Sequence, residues 1–106
     1  MWYVHGNDLK MCEGDFGVEL PITISGTTLT ASDEIRVTIK KSVNGDTLVT
    51  KDYGNISQNT VRFSLTSAES ALLPVGTYVY SLDWYQSGHF MCNIVEAALF
   101  KVVEKA

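Results

Sequence analysis

Two prolines, two histidines and two cysteines in 106 residues leave little material for chemistry. His5 and His89 are the only imidazoles on which a catalytic or metal site could draw. His89 follows Gly88 in a turn-like stretch with no nucleophile and orienting carboxylate beside it, so it reads as a solvated turn residue. A phosphate-cradling glycine loop, an HExxH helix and an Asp-rich calcium loop are all missing. Asp15 after Gly14 reads as turn chemistry at a strand junction. Cys12 and Cys92 are too few for a disulfide scaffold and are not spaced as a metal pair. Each follows a methionine in apolar surroundings, which leaves two readings open: two buried thiols, or one bridge tying the first strand to a late one. No catalytic residue, metal or cofactor is expected.

Positive charge is also scarce. Eight Lys and Arg stand against twelve Asp and Glu, a net charge of -4, so no counterion-releasing surface is available and nucleic acid is excluded as an expected partner. No apolar run approaches the roughly twenty residues of a membrane-spanning helix, and the start, "MWYVHGND", has neither the basic opening nor the apolar stretch of a signal peptide. The chain reads as soluble and unsecreted, with no membrane partner. Its length fits one domain over residues 1–106, large enough to bury about two-thirds of its unfolded surface.

What is present is period-two alternation. "FGVELPITI" places Phe16, Val18, Leu20, Ile22 and Ile24 on one face, with Pro21 marking an unpaired edge or a bulge. "EIRVTIKK" turns Ile35, Val37 and Ile39 inward, and Asn44-Gly45 then gives a type I′ hairpin signal leading into a strand from Leu48 to Tyr53. "TVRFSLT" turns Val61, Phe63 and Leu65 inward. "SAESALL" supports one or two helical turns capped by Ser67 and stopped by Pro74. A strand from Thr77 to Tyr85 follows, with Tyr78, Tyr80, Leu82 and Trp84 on one face, then a turn at Ser87-Gly88. "FMCNIVEAALFKVVEK" reads as one long strand broken near Glu96 to Ala98, or as two strands. Short strands with turn signals every 8 to 12 residues predict an all-β sandwich.

Tyr78, after "SALLPVG", fits a tyrosine corner, in which a hydroxyl at the start of a late central strand folds back onto upstream backbone. Taken together, "EGDFGVELPITISG", "SLTSAESALLPVGTYVYSLDWYQSG" and "FKVVEK" resemble the immunoglobulin-like N-terminal domain of phage baseplate upper proteins, over roughly residues 8 to 104. The resemblance implies an immunoglobulin-like antiparallel β-sandwich of seven to eight strands with one short helical turn. It further implies a non-enzymatic structural protein of a phage or prophage tail baseplate, assembled in the bacterial cytoplasm and residing in the virion. Expected partners are copies of itself and other tail or baseplate proteins. The chain lacks the long fibre segment that follows in that family, and its N-terminal aromatic pair has no place in the pattern.

Mechanism would then lie in surface complementarity. Trp2, Tyr3, Tyr85, His89 and Phe90 are the candidate interface residues, the first two as an N-terminal aromatic pair and the last three at a hairpin tip. Tyr78 and Trp84 are expected in structural roles inside the core. The alternative function is a carbohydrate-binding or adhesion module of a bacterial surface protein, with Trp2, Tyr3, Tyr53 and Tyr85 as an outward platform for sugar rings.

Overall fold

A computed structural model describes residues 2–14, 16–56 and 58–104. The turn reading at Asp15 and the last residue of the final strand stretch, Lys105, lie outside the described residues. In chain order the elements are β1 (Trp2–His5), β2 (Asp8–Cys12), β3 (Leu20–Thr23), β4 (Asp33–Lys40), β5 (Thr47–Tyr53), β6 (Thr60–Phe63), α1 (Ser67–Ala71), β7 (Gly76–Gln86) and β8 (His89–Val103). One sheet has six strands in the order β1-β2-β8-β7-β4-β5, and the second pairs β3 with β6. This is an all-β sandwich with one short helix.

The large sheet is mixed where antiparallel pairing was expected. β2 runs parallel to β8, with Leu9 opposite Phe100 and Met11 opposite Val102. The cause is the N-terminal hairpin: β1 turns through Gly6-Asn7 into β2, which lies along the last strand and is tied to it by the Glu13 N–H to the Val103 carbonyl at 2.7 Å. All other pairings are antiparallel.

The core fills the space between the sheets, and the strand alternation sets it. Ile35, Val37 and Ile39 of β4, Tyr78, Tyr80 and Leu82 of β7, and Phe100 and Val102 of β8 all point inward and are buried. Val61 and Phe63 of β6, with Leu65 just beyond it, meet them from the second sheet. Phe63 and Phe100 have no exposed surface, and burying each such side chain contributes roughly 1.5–3 kcal/mol.

Several local expectations change. The strand read over Phe16 to Ile24 begins only at Leu20; Phe16 and Val18 are 54% and 46% exposed. Gly17, at φ 77, breaks the extended run and sends its N–H to the Leu65 carbonyl. Asn44-Gly45 does lie in the β4–β5 hairpin, but neither residue adopts positive φ. The connection is longer, closed by Lys41 N–H to Asp46 carbonyl at 3.1 Å, with Gly45 N–H returning to Ser42 at 3.0 Å. The I′-type turn sits instead at Ser87-Gly88, with φ 49 and 82, joining the opposed pair Gln86 and His89. The helix cap is Thr66 and not Ser67: its hydroxyl accepts the Glu69 N–H at 3.1 Å while the Glu69 carboxylate accepts the Thr66 N–H at 2.8 Å, a reciprocal capping box.

β8 is one strand, and the break near Glu96 to Ala98 is a bulge within it. Tyr80 faces Ala98 and Leu82 faces Val95, so β8 carries one residue more than β7 there, with Ala97 at φ 49. The same surplus recurs twice nearer the tip. The cysteines do not meet. Cys12 lies beside Val103 and Cys92 is opposite Trp84, eleven residues back along β8, roughly 30 Å away and far outside disulfide reach. Both thiols are free; Cys12 is half-buried, but Cys92 is exposed, which corrects the buried-thiol reading for it.

Candidate functional site

Tyr78 donates its hydroxyl to the Pro74 carbonyl at 2.5 Å, four residues upstream, the geometry expected of a tyrosine corner. Burial pushes its pKa up. Tyr80, two residues on, sends its hydroxyl to the Asn7 carbonyl in the β1–β2 turn, and burial pushes its pKa up to about 12. Neither phenol is poised to titrate or to act as a base near neutrality.

Trp84 is half-buried against the core, and its indole N–H donates to Asp33 Oδ1 at 2.9 Å. Asp33 is only 1% exposed, and its other oxygen accepts from the Thr30 N–H at 2.6 Å and the Thr30 hydroxyl at 3.1 Å. Hydrogen bonding from the Thr30 backbone, then from Trp84, holds this carboxyl below its usual range. This carboxylate is a structural tie between the 30–33 turn and β7, and nothing in the alternation of "ASDEIRVTIK" announced it. Asn59 is a second tie that sequence reasoning missed: its amide oxygen accepts the Leu29 N–H at 2.9 Å and its NH₂ reaches the Ile24 and Thr27 carbonyls. Asn before a strand, able to take positive φ, was the available signal.

The β7–β8 tip gathers the candidate interface residues on the outward face of the large sheet. Tyr85 and Phe90 are opposed in register and meet edge to face, 5.6 Å between centroids at 71°. Arg36, from the neighbouring strand β4, lies 4.4 Å from the Tyr85 ring centroid and is held by Asp52 of β5 at 2.6 Å. The hydrogen bond from Arg36 to Asp52 raises the guanidinium pKa further. Phe90 and Met91 remain 53% and 44% exposed, and His89 is exposed beside them. A cation over one ring and a second ring against its edge fix an apolar knob without hiding it. Just below, Asn93 donates its amide to Asp83, which stands opposite Arg36. A shallow depression of about 190 Å³ adjoins it, lined by Thr38, Lys40, Val43, Ser81, Asn93 and Glu96.

The N-terminal aromatics do not join this cluster. Trp2 was expected at the interface; it faces inward, 5.4 Å from Phe63 and 5.7 Å from Phe100, with its indole N–H on the Val18 carbonyl at 2.9 Å. Its position opposite the buried Met11 dictates this side of the hairpin. Tyr3 does point outward, is 47% exposed, and lies under Lys10 Nζ at 5.0 Å. In register, however, Tyr3 aligns through Lys10 and Lys101 with Thr77, so it stands eight strand residues, roughly 26 Å, from Tyr85. Tyr53 also turns inward, where burial raises its pKa and its hydroxyl accepts the Ser64 N–H at 3.4 Å.

Among the described residues no three His, Cys, Asp or Glu side chains converge as a metal-binding group. No helix among the described residues is long and apolar enough to cross a membrane. No family model, no curated protein and no solved structure matches the chain.

Proposed function

We propose that this chain is a non-enzymatic structural domain of a phage or prophage tail baseplate, assembled in the bacterial cytoplasm and held in the virion by protein–protein contacts. The observation that carries the interface part of the reading is the tip: Tyr85 braced by Arg36, with Phe90 and Met91 exposed beside it. A rigid apolar projection loses little side-chain freedom on contact, which is what a repeating assembly interface requires. The order of the motifs "EGDFGVELPITISG", "SLTSAESALLPVGTYVY" and "FKVVEK" supports the baseplate assignment. The tyrosine corner and the strand order β8-β7-β4-β5 support the finer immunoglobulin-like description, in which the late strands lie beside the third and its neighbour.

The sugar-platform alternative needed Trp2, Tyr3, Tyr53 and Tyr85 together, but Trp2 and Tyr53 face the core and Tyr3 lies at the far end of the sheet. The test is the DNA flanking the gene. Tail, fibre, holin or lysin genes on either side are the expected finding. Secretion signals or polysaccharide-degrading enzymes there would overturn the proposal.

A further inference from the structure

In an antiparallel pair each residue turns both its N–H and its C=O either toward one neighbouring strand or toward the other. The bond from the Ser87 N–H to the Ser32 carbonyl, 2.9 Å, sets that alternation for this side of the large sheet. Even-numbered β4 residues bond β7, so Ile35, Val37 and Ile39 bond β5, where Tyr53, Lys51 and Val49 answer them. Thr50 and Asp52 therefore aim their N–H and C=O away from β4, beyond the last strand of the sheet. The same counting from the Ile24 N–H to the Asn59 carbonyl, 2.8 Å, turns Pro21 and Thr23 outward on β3, and Thr60, Arg62 and Ser64 outward on β6.

The four free edges are not equivalent. β3 is blunted by Pro21, which has no N–H to offer. Just past β6 the Ser64 N–H is taken by the Tyr53 hydroxyl and its carbonyl by the Lys51 ammonium. β1 has four residues. β5 has seven, without proline, and Thr50 and Asp52 are exposed. Inward-pointing charge often guards an edge, but Lys51 is held by Glu69 at 2.9 Å and leaves this one open.

We infer that the β5 edge is a strand-addition site for β5 of a second copy, antiparallel across a two-fold axis at Thr50, which joins two six-stranded sheets into one. Charge selects both the partner and the register. With the axis at Thr50, threonine faces threonine, Lys51 faces Val49 and Asp52 faces Leu48, so no like charges oppose. An axis at Lys51 sets ammonium against ammonium, one at Asp52 sets carboxylate against carboxylate, and one at Val49 sets Asp52 against Asp46. The contact is isologous, as a two-fold dimer requires. It pairs through the β5 backbone and not through the exposed Phe90 and Met91 of the β7–β8 tip, so its test reads it separately from the baseplate reading.

The test is light scattering of the purified chain across a concentration series, with hydrogen exchange read at the Thr50 and Asp52 amides. Expected is a doubling of the 11.7 kDa mass, with both amides protected as the dimer forms. Thr50→Pro removes an N–H that β4 does not use, and losing the two bonds at the axis weakens the dimer by about thirtyfold. Thr50→Lys keeps the N–H but opposes two ammonium groups at the axis, and its dimer is also weakened; it keeps the test open should the proline variant misfold. A chain that stays monomeric at all concentrations overturns the inference. So does a dimer that Thr50→Lys leaves intact, or one in which the two amides exchange freely.

Discussion

Tyr78 and Tyr80 sit on the same inward face of β7, and each must find an acceptor for a hydroxyl carried into an apolar interior. Tyr78 finds Pro74, at the end of the segment that leads into its own strand. Removing only that hydroxyl keeps the ring packing, so Tyr78→Phe should cost about 1 kcal/mol in a urea melt with an unchanged slope. Asp33 makes a stronger claim on pH. Its partners favour the ionised form, so the folded chain binds the proton at lower pH than the unfolded chain does. The stability it supplies is whole at neutral pH and is lost as pH falls from about 4 toward its depressed folded value. Thermal melts between pH 7 and pH 3 should show this loss in the wild type, and Asp33→Asn should start from a lower melting point and lose less on acidification. Of the two ties only the tyrosine was legible: it followed from its place after "LLPVG", whereas the partner of Asp33 comes from a strand fifty-one residues away.

At the scale of elements, α1 is five residues long, too short to persist on propensity alone. Its stability rests on the Thr66–Glu69 capping box and on Lys51, which reaches Glu69 from β5. Thr66→Ala should therefore cost about 1 kcal/mol by denaturant unfolding. The strands were legible wherever alternation was long and bounded by turn residues, as in β4 and β7. The failures have local causes. "FGVELPITI" keeps the strand pattern through Gly17, yet Gly17 turns to φ 77 and breaks the extended run there, and pattern alone does not reveal φ. Asn44-Gly45 carried the stronger hairpin signal, but the register shift between the Ile39 and Lys40 pairings closes that connection at Lys41 and Asp46 around residues 42–45, and the tight turn went to Ser87-Gly88.

At the scale of the whole molecule, the tip and the β5 edge are joined by the Arg36–Asp52 pair, and exposed residues on either side of it, Phe90 and Thr50, test each without disturbing the core. Phe90→Glu adds a charge to a side chain already 53% exposed, so its stability should stay within about 0.5 kcal/mol of wild type. Under the proposed baseplate role, its binding to tail neighbours, measured by co-purification, should fall at least tenfold, as for an apolar contact residue near the centre of an interface. A tip variant that binds unchanged would remove Phe90 from the contact.

The sequence by itself determined the class of fold, most of the strands and the inward faces of β4, β6 and β7, because period-two alternation is a local property that burial on one side enforces. It also placed Tyr78 in its corner and put Tyr85, His89 and Phe90 at one hairpin tip around the Ser87-Gly88 turn. Only the tertiary structure decided the rest. It folded Trp2 into the core through a parallel pairing of β2 with a strand about ninety residues later, set Arg36 over Tyr85 from a neighbouring strand, and left β5 at the edge of the sheet. Those are matters of strand order and register between distant segments, which no local pattern encodes.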